Sequence, residues 1–174
     1  MTKPLSAALG ASRFVLRLLI VLNWLYGAAI FVGLVLSFAA KATTMAALGV
    51  ASSAEMEPLI QGMRAIAVLG LVTVPLHYVI LARLRDIVDS VQAQDPFVAP
   101  NAGRLQTTAW ALLGLQLLAL AIGAIAAFVS TPAHPLHVDA GFSTAGWLAV
   151  LLLFVLARVF AEGARIRDDL EGTV

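Results

Sequence analysis

Three histidines are the side chains in this sequence best suited to metal or proton chemistry. His134, His137 and Asp139 form a His-x-x-His-x-Asp pattern, and imidazole and carboxylate groups are sufficient ligands for a divalent metal. Pro132 and Pro135 stiffen the same short segment. We favour the simpler interpretation, a polar loop that holds these side chains without a metal.

His77 stands alone in an apolar run, two residues after Pro75. An ionisable residue at membrane depth is by default a candidate functional residue, and a neutral imidazole can bind haem or relay protons. A haem held between helices usually needs a second axial ligand, and no other histidine lies in an apolar run. We therefore expect His77 to be a packing residue, with cofactor binding as the weaker alternative.

Two amides, Asn23 and Gln116, also fall inside apolar runs. An amide in hydrocarbon needs hydrogen-bond partners, so both are predicted to join neighbouring helices. Ala119, Gly123 and Ala127 follow a small-xxx-small spacing, which predicts close helix contact either within the chain or in a homo-oligomer.

The composition points to lipid as the solvent. Of the 174 residues, 61% are hydrophobic and 12% are charged, whereas soluble domains carry about 25% charged residues. The formal net charge of +1 gives no field that would attract nucleic acid. There is no cysteine, and we find no nucleophile motif, phosphate loop or His/Glu metal helix. We therefore expect neither an enzyme nor a bound cofactor.

Four apolar runs have the length that a bilayer requires: 18–40, 65–82, 109–129 and 140–157. Continuous runs of this kind favour helices, because a lone helix satisfies its own backbone in lipid. The first run is too long for the apolar part of a signal peptide. The predicted fold is all-α, a single domain over residues 1–174 that forms a four-helix transmembrane bundle. Its spans are predicted at about 14–40, 63–83, 105–129 and 140–161, with a cytoplasmic loop at 84–104 and a cytoplasmic tail at 162–174.

Basic residues are distributed unevenly between the two sides of this bundle. One side holds nine, namely Lys3, Arg13, Arg17, Arg83, Arg85, Arg104, Arg158, Arg165 and Arg167. The other side holds Lys41 and Arg64. Because positively charged loops stay in the cytoplasm, both termini and the middle loop are predicted to be cytoplasmic, in a bacterial inner membrane.

Spans two and four are predicted to continue as cytoplasmic helical extensions. Leu84, Ile87, Val88 and Val91 keep a helical spacing beyond the second run, with charged residues between them. Asp95-Pro96 should stop that helix at about residue 93. The third span should begin at Pro100-Asn101, with Pro100 in its first turn or Asn101 as its cap.

The last span should end at about residue 170. Arg158 is expected to pair with Glu162, and the charges of 83–89 are expected to meet those of 162–171.

Two cytoplasmic segments resemble a known family. Arg85-Asp86-Ile87-Val88, Asp95-Pro96-Phe97-Val98, Pro100-Asn101-Ala102 and Arg104-Leu105 resemble the middle-loop signature of the four-span membrane proteins classed as domain of unknown function 2975. The segment 159–164 and the residues Asp168-Asp169-Leu170 and Thr173-Val174 resemble its C-terminal signature. The resemblance covers residues 14–174. It implies an inner-membrane protein without an established activity, and a soluble helix-turn-helix regulator as partner, because members are often encoded beside such regulators.

The sequence thus favours a regulatory or scaffold protein that presents a cytoplasmic surface to a soluble partner. The predicted partner-binding residues are Arg83, Arg85, Asp86, Asp95, Phe97, Asn101, Arg104, Glu162, Arg165 and Asp168. One alternative is a small transporter or an export or immunity protein, with Asn23, His77 and Gln116 along a polar path. A further alternative is a haem or quinone redox subunit.

Overall fold

The structure is a computed structural model that describes residues 3–39, 57–92, 99–132, 135–136 and 138–171. This part of the chain contains four long α-helices and no β-strand: α1 (Lys3–Ala39), α2 (Glu57–Gln92), α3 (Ala99–Val129) and α4 (Thr144–Glu171). All four are long and apolar enough to cross a membrane. The predicted all-α fold with four transmembrane helices is confirmed.

The helices extend beyond the apolar runs that predicted them. α2 passes through Pro75 without interruption and continues to Gln92, while α4 continues to Glu171. α3 begins at Ala99, which places Pro100 in the first turn, where a missing backbone N–H costs nothing. Asn101 therefore lies inside the helix, and the alternative prediction that it caps the helix is wrong.

The chain divides into two compact units. The first unit comprises the described residues of Met1–Asn23, Leu76–Gly114 and Ser143–Val174. Its interior is built from small side chains, including Ala109, Ala157 and Ala164, which are at most 7% exposed. Trp110 meets Phe154 of α4 edge to face, with ring centroids 5.1 Å apart, a favourable geometry for aromatic rings.

The second unit comprises the described residues of Trp24–Pro75 and Leu115–Phe142. Glycines allow close approach here. A β-carbon added at Gly27 would lie 3.0 Å from Val74 Cγ2, and one added at Gly62 would lie 2.6 Å from Val129 Cγ1. A β-carbon added at Gly70 would lie 3.4 Å from Ile30 Cδ1, at ordinary contact distance. α1 and α2 therefore run antiparallel within this unit, because positions further along α1 contact positions earlier in α2.

Apolar side chains cover much of the molecular surface. In the most apolar stretch of α1 only 6% of the residues are buried, and Phe14, Leu25 and Phe38 are each at least 60% exposed. Such a surface is unfavourable in water and appropriate for lipid contact.

Candidate functional site: a polar junction between α2 and α3

Asn101 is the centre of a polar junction within the first unit. Its side chain is completely buried, and its Nδ2 donates a hydrogen bond to Ser90 Oγ at 2.8 Å. The Ser90 hydroxyl in turn donates to the carbonyl of Ile87, one turn back in α2, at 2.7 Å. A buried amide is costly unless it is paired, and here both of its ends are paired. The junction therefore fixes the end of α2 against the start of α3.

Arg104 completes the junction from the next turn of α3. Its Nη1 donates to Asn101 Oδ1 at 2.7 Å and to the backbone carbonyl of Asp86 at 3.3 Å. Thr108, only 2% exposed, donates to the carbonyl of Arg104 at 2.9 Å. The arginine thus reaches a carbonyl of α2 from α3, and a charged donor gives such a bond extra strength.

Two further arginines, Arg83 and Arg85, lie close to the Asp86 carboxylate on the outer side of this junction. Its Oδ2 lies 3.6 Å from Arg83 Nη1, and its Oδ1 lies 3.6 Å from Arg85 Nη2. Both distances are ion-pair separations beyond hydrogen-bond range. The arginine side chains are 46% and 41% exposed, so their N–H groups remain accessible.

α1 is attached to the same end of α2 by one ion pair. Arg13 Nε donates to Asp89 Oδ1 at 2.5 Å. The expectation that the charges of 83–89 would meet those of 162–171 is thus wrong for Asp89. Its partner comes from the first helix, because Asp89 faces α1 in the folded first unit.

The end of α4 presents its own charges to solvent. Arg165 Nη2 donates to Glu162 Oε1 at 2.7 Å, with side chains 70% and 50% exposed. We expected Arg158 as the partner of Glu162, and that prediction is wrong. The observed pair follows the i, i+3 spacing, and exposed pairs of this kind contribute little stability.

The predicted partner-binding residues therefore fall into distinct groups. Arg83, Arg85, Glu162 and Arg165 are accessible, and Asp86 is partly so. For Asn101 and Arg104 the prediction is corrected. Asn101 is buried, and Arg104 is hydrogen-bonded to it within the junction. Asp95, Phe97 and the side chain of Asp168 lie outside the described residues. Ser90, which the sequence did not single out, belongs to the junction.

The three intramembrane polar residues differ in their surroundings. His77 is exposed on α2 and takes part in a contact with another group, so its packing role stays a prediction. Asn23 is half-buried and takes part in a contact with another group. Gln116 Nε2 is buried and has no hydrogen-bond partner among the described residues. Its amide nitrogen therefore does not provide the predicted link between helices.

Gly123, the central residue of the small-residue stripe of α3, packs against a loop. A β-carbon added at Gly123 would lie 2.8 Å from the carbonyl oxygen of Ala140 and 3.1 Å from Gly141 Cα. Gly141 has φ of +142°, a backbone conformation that favours glycine. Ala127 is exposed. The prediction of a helix contact at Gly123 is corrected, since loop backbone occupies that space.

The candidate metal pattern is mostly outside the described residues. His134 and His137 are not described, and Asp139 is exposed. Within the described ranges no group of three or more metal-ligating side chains occurs.

The second unit has a polar clasp that sequence reasoning missed. Arg64 of α2 donates from Nε to Ser37 Oγ at 3.3 Å and from Nη2 to the Ser37 carbonyl. Its guanidinium carbon lies 4.0 Å from the centre of the Phe38 ring. A cation at the carboxyl end of α1 satisfies terminal carbonyls and complements the helix dipole. In the sequence, only the position of Arg64 as an isolated basic residue beside the apolar run 65–82 pointed to this contact.

Residues 18–174 match a family described as protein of unknown function (DUF2975). The match covers most of the chain, and its four membrane-spanning helices agree with it, so the chain belongs to this family. Comparisons with curated proteins and with solved structures found no match.

Proposed function

We propose that this multi-pass membrane protein is a regulatory or scaffold protein of the bacterial inner membrane. Its binding surface is formed by the accessible residues within 83–105 and 158–171, and its partner is a soluble protein such as a small helix-turn-helix regulator. It acts through binding, without a catalytic step. In the proposed orientation both termini and this surface are cytoplasmic.

The observation that carries the proposal is the contrast between buried and exposed polar groups at one end of α2 and α3. Asn101 and Arg104 are used internally, which holds two helix ends in one arrangement. Arg83 remains accessible on the outside of that arrangement. A preorganised surface loses less entropy when a partner binds, so a rigid support below accessible charges favours recognition.

Charge distribution supports the cytoplasmic orientation. Nine lysines and arginines belong to the proposed cytoplasmic side and two to the opposite side, following the positive-inside rule. A regulator that binds DNA remains in the cytoplasm, so the surface must face that compartment.

The placement of His77 gives no support to the other two functions considered. A residue that lines a polar path, or that binds haem between helices, faces the interior, whereas His77 is exposed. The position of His77 therefore does not favour the transporter or the redox hypothesis.

Orientation and binding are tested separately. Fusions of an enzymatic reporter after residue 174 and within 42–56 should report the cytoplasm and the opposite side, respectively. The reverse result would refute the orientation. For binding, detergent-solubilised protein carrying a C-terminal tag should capture a helix-turn-helix protein from its own host, and mass spectrometry should identify it.

The matched variant for this capture exchanges the charges of one exposed pair. Glu162→Arg combined with Arg165→Glu keeps the i, i+3 ion pair and the net charge but reverses the local pattern. We expect capture to fall at least about tenfold, because like charges then face each other across the interface. Thermal unfolding of the variant should be unchanged. Equal recovery with both proteins, or recovery of no regulator with either, contradicts the proposal.

A further inference from the structure

Arg17 is an exposed arginine in the apolar part of α1. It makes no hydrogen bond or ion pair with another described residue. It follows Arg13 by four residues, so both side chains lie on the same face of α1. Asp89, which binds Arg13, follows Arg85 by four residues on α2. Arg85 therefore shares a face of α2 with the residue that anchors α1.

The Arg13–Asp89 pair fixes the register of the two helices in the first unit. Consecutive membrane spans cross the bilayer in opposite directions, so one turn forward in α1 corresponds to one turn back in α2. Arg17 and Arg85 are each about 6 Å from that pair along their helices, in the same direction. At a usual helix separation of about 8–10 Å, the two long side chains flank one shared space.

The charge of the two helix segments that meet here is not balanced. Residues 13–17 of α1 and 83–89 of α2 hold four arginines and two carboxylates, an excess of two positive charges: Arg13, Arg17, Arg83 and Arg85 against Asp86 and Asp89. Asp89 is occupied by Arg13, and Asp86 lies 3.6 Å from both Arg83 and Arg85. Guanidinium groups at that distance keep N–H donors available for an anion.

The depth of the two arginines suits a lipid headgroup. Each lies one turn closer to the apolar part of its helix than the Arg13–Asp89 pair does. Arginines at this level extend their charged ends to the membrane interface, where phosphodiester groups of the bilayer are found. The neighbouring surface of α1 is apolar, with Phe14 68% exposed and Leu18 47% exposed, as acyl-chain contact requires.

We propose that Arg17 and Arg85 form a binding site for the phosphodiester headgroup of an anionic phospholipid. The two guanidinium groups bind the phosphate oxygens, while the apolar surface beside them contacts the acyl chains. The site does not depend on the regulatory function proposed above, so either proposal can fail alone.

The test uses the full chain in a neutral detergent, titrated with phosphatidylglycerol or phosphatidylcholine. Native mass spectrometry counts bound lipid, and thermal unfolding reports the stabilisation that a ligand of the folded state produces. The wild-type protein should prefer phosphatidylglycerol by about tenfold or more, since bonds from two charged donors are involved. Arg17→Gln with Arg85→Gln should reduce that preference to the level of phosphatidylcholine.

Two further variants distinguish a site from general charge attraction. Asp86→Asn removes the carboxylate that competes for Arg85 while its backbone carbonyl still accepts from Arg104, so the preference should increase. Arg158→Gln removes an exposed arginine of α4 and should leave the preference unchanged. Equal losses in Arg158→Gln and the double variant, or an unchanged preference in the double variant, would overturn the proposal. Displacement of the lipid by millimolar inorganic phosphate would overturn the lipid assignment.

Discussion

The buried amide of Asn101 donates a 2.8 Å hydrogen bond to Ser90 Oγ, and this bond joins two helices across the segment 93–98. The two residues are eleven positions apart, and both belong to the end of the first unit that carries the exposed charges. The arrangement of that charged surface therefore depends on one buried polar contact.

Asn101→Ala should destabilise the protein by about 1–3 kcal/mol, because it removes the acceptor of the 2.7 Å bond from Arg104 and the donor of the bond to the Ser90 hydroxyl. Ser90→Ala should lower the free energy of unfolding by less, since the Asn101 amide keeps its bond with Arg104. The double variant should show coupling of about 0.5–3 kcal/mol between the two sites. Unfolding by SDS titration in detergent micelles measures all three values, and additive losses would contradict the proposed junction.

Gly123→Ala should destabilise the second unit by about 1–3 kcal/mol, because the new methyl group would contact the loop backbone at Ala140. The atoms in the way belong to the backbone, which cannot move aside as easily as the end of a flexible side chain. Gly103→Ala is the matched control in the same helix, since nothing lies within 4 Å of its added β-carbon. The free energy of unfolding of the control should rise by up to about 1 kcal/mol, because alanine has a higher helix propensity than glycine. Equal effects of the two substitutions in the same unfolding assay would disprove the close contact.

Arg64→Gln should cost about 1–3 kcal/mol, because it removes charged bonds to Ser37 and the cation above Phe38. Arg64→Lys keeps the positive charge near the ring but loses the forked donor geometry, so it should recover only part of this loss. Phe38→Leu isolates the ring contribution, which should be about 0.5–1 kcal/mol at this exposed site. If Arg64→Gln were as stable as the wild type, the clasp would have no energetic role.

Gln116→Leu should stabilise the protein by about 1 kcal/mol, since it removes a buried amide nitrogen that has no partner among the described residues. Leucine has a similar size, so packing changes little. The measurement is again unfolding in detergent, with Leu117→Ala, at an exposed neighbouring position, as a control for effects of the detergent. A large destabilisation by Gln116→Leu would show that the amide makes an essential bond.

The four membrane helices were predictable because uninterrupted apolar runs of bilayer length have few other solutions. The continuation of α2 was predictable from the spacing of Leu84, Ile87 and Val91. The role of Asn101 was not, because an asparagine after a proline at a helix start is typical of a cap. Its actual partner is fixed by the relative register of α2 and α3, and that register follows from packing over the whole helix length.

The same limit explains the other differences. Gly123 has a spacing typical of helix contacts, yet the sequence does not reveal whether a helix or a loop fills the space beside a glycine. Asp89 has several arginines nearby in the sequence, and its partner Arg13 is 76 positions away. Charge composition predicted which end of the helices would be polar, whereas the identity of each pair required the fold.

The contacts of α1 described above, made by Arg13, Gly27, Ile30 and Ser37, are all with α2. Because α2 is synthesised directly after α1, α1 can insert into the bilayer alone and form these contacts once α2 has inserted. The apolar surface of α1 is compatible with lipid, so the helix is stable in the bilayer before it packs against other helices. The order of synthesis therefore matches the order of assembly, and a hairpin of the first two spans is the first intermediate expected during biogenesis.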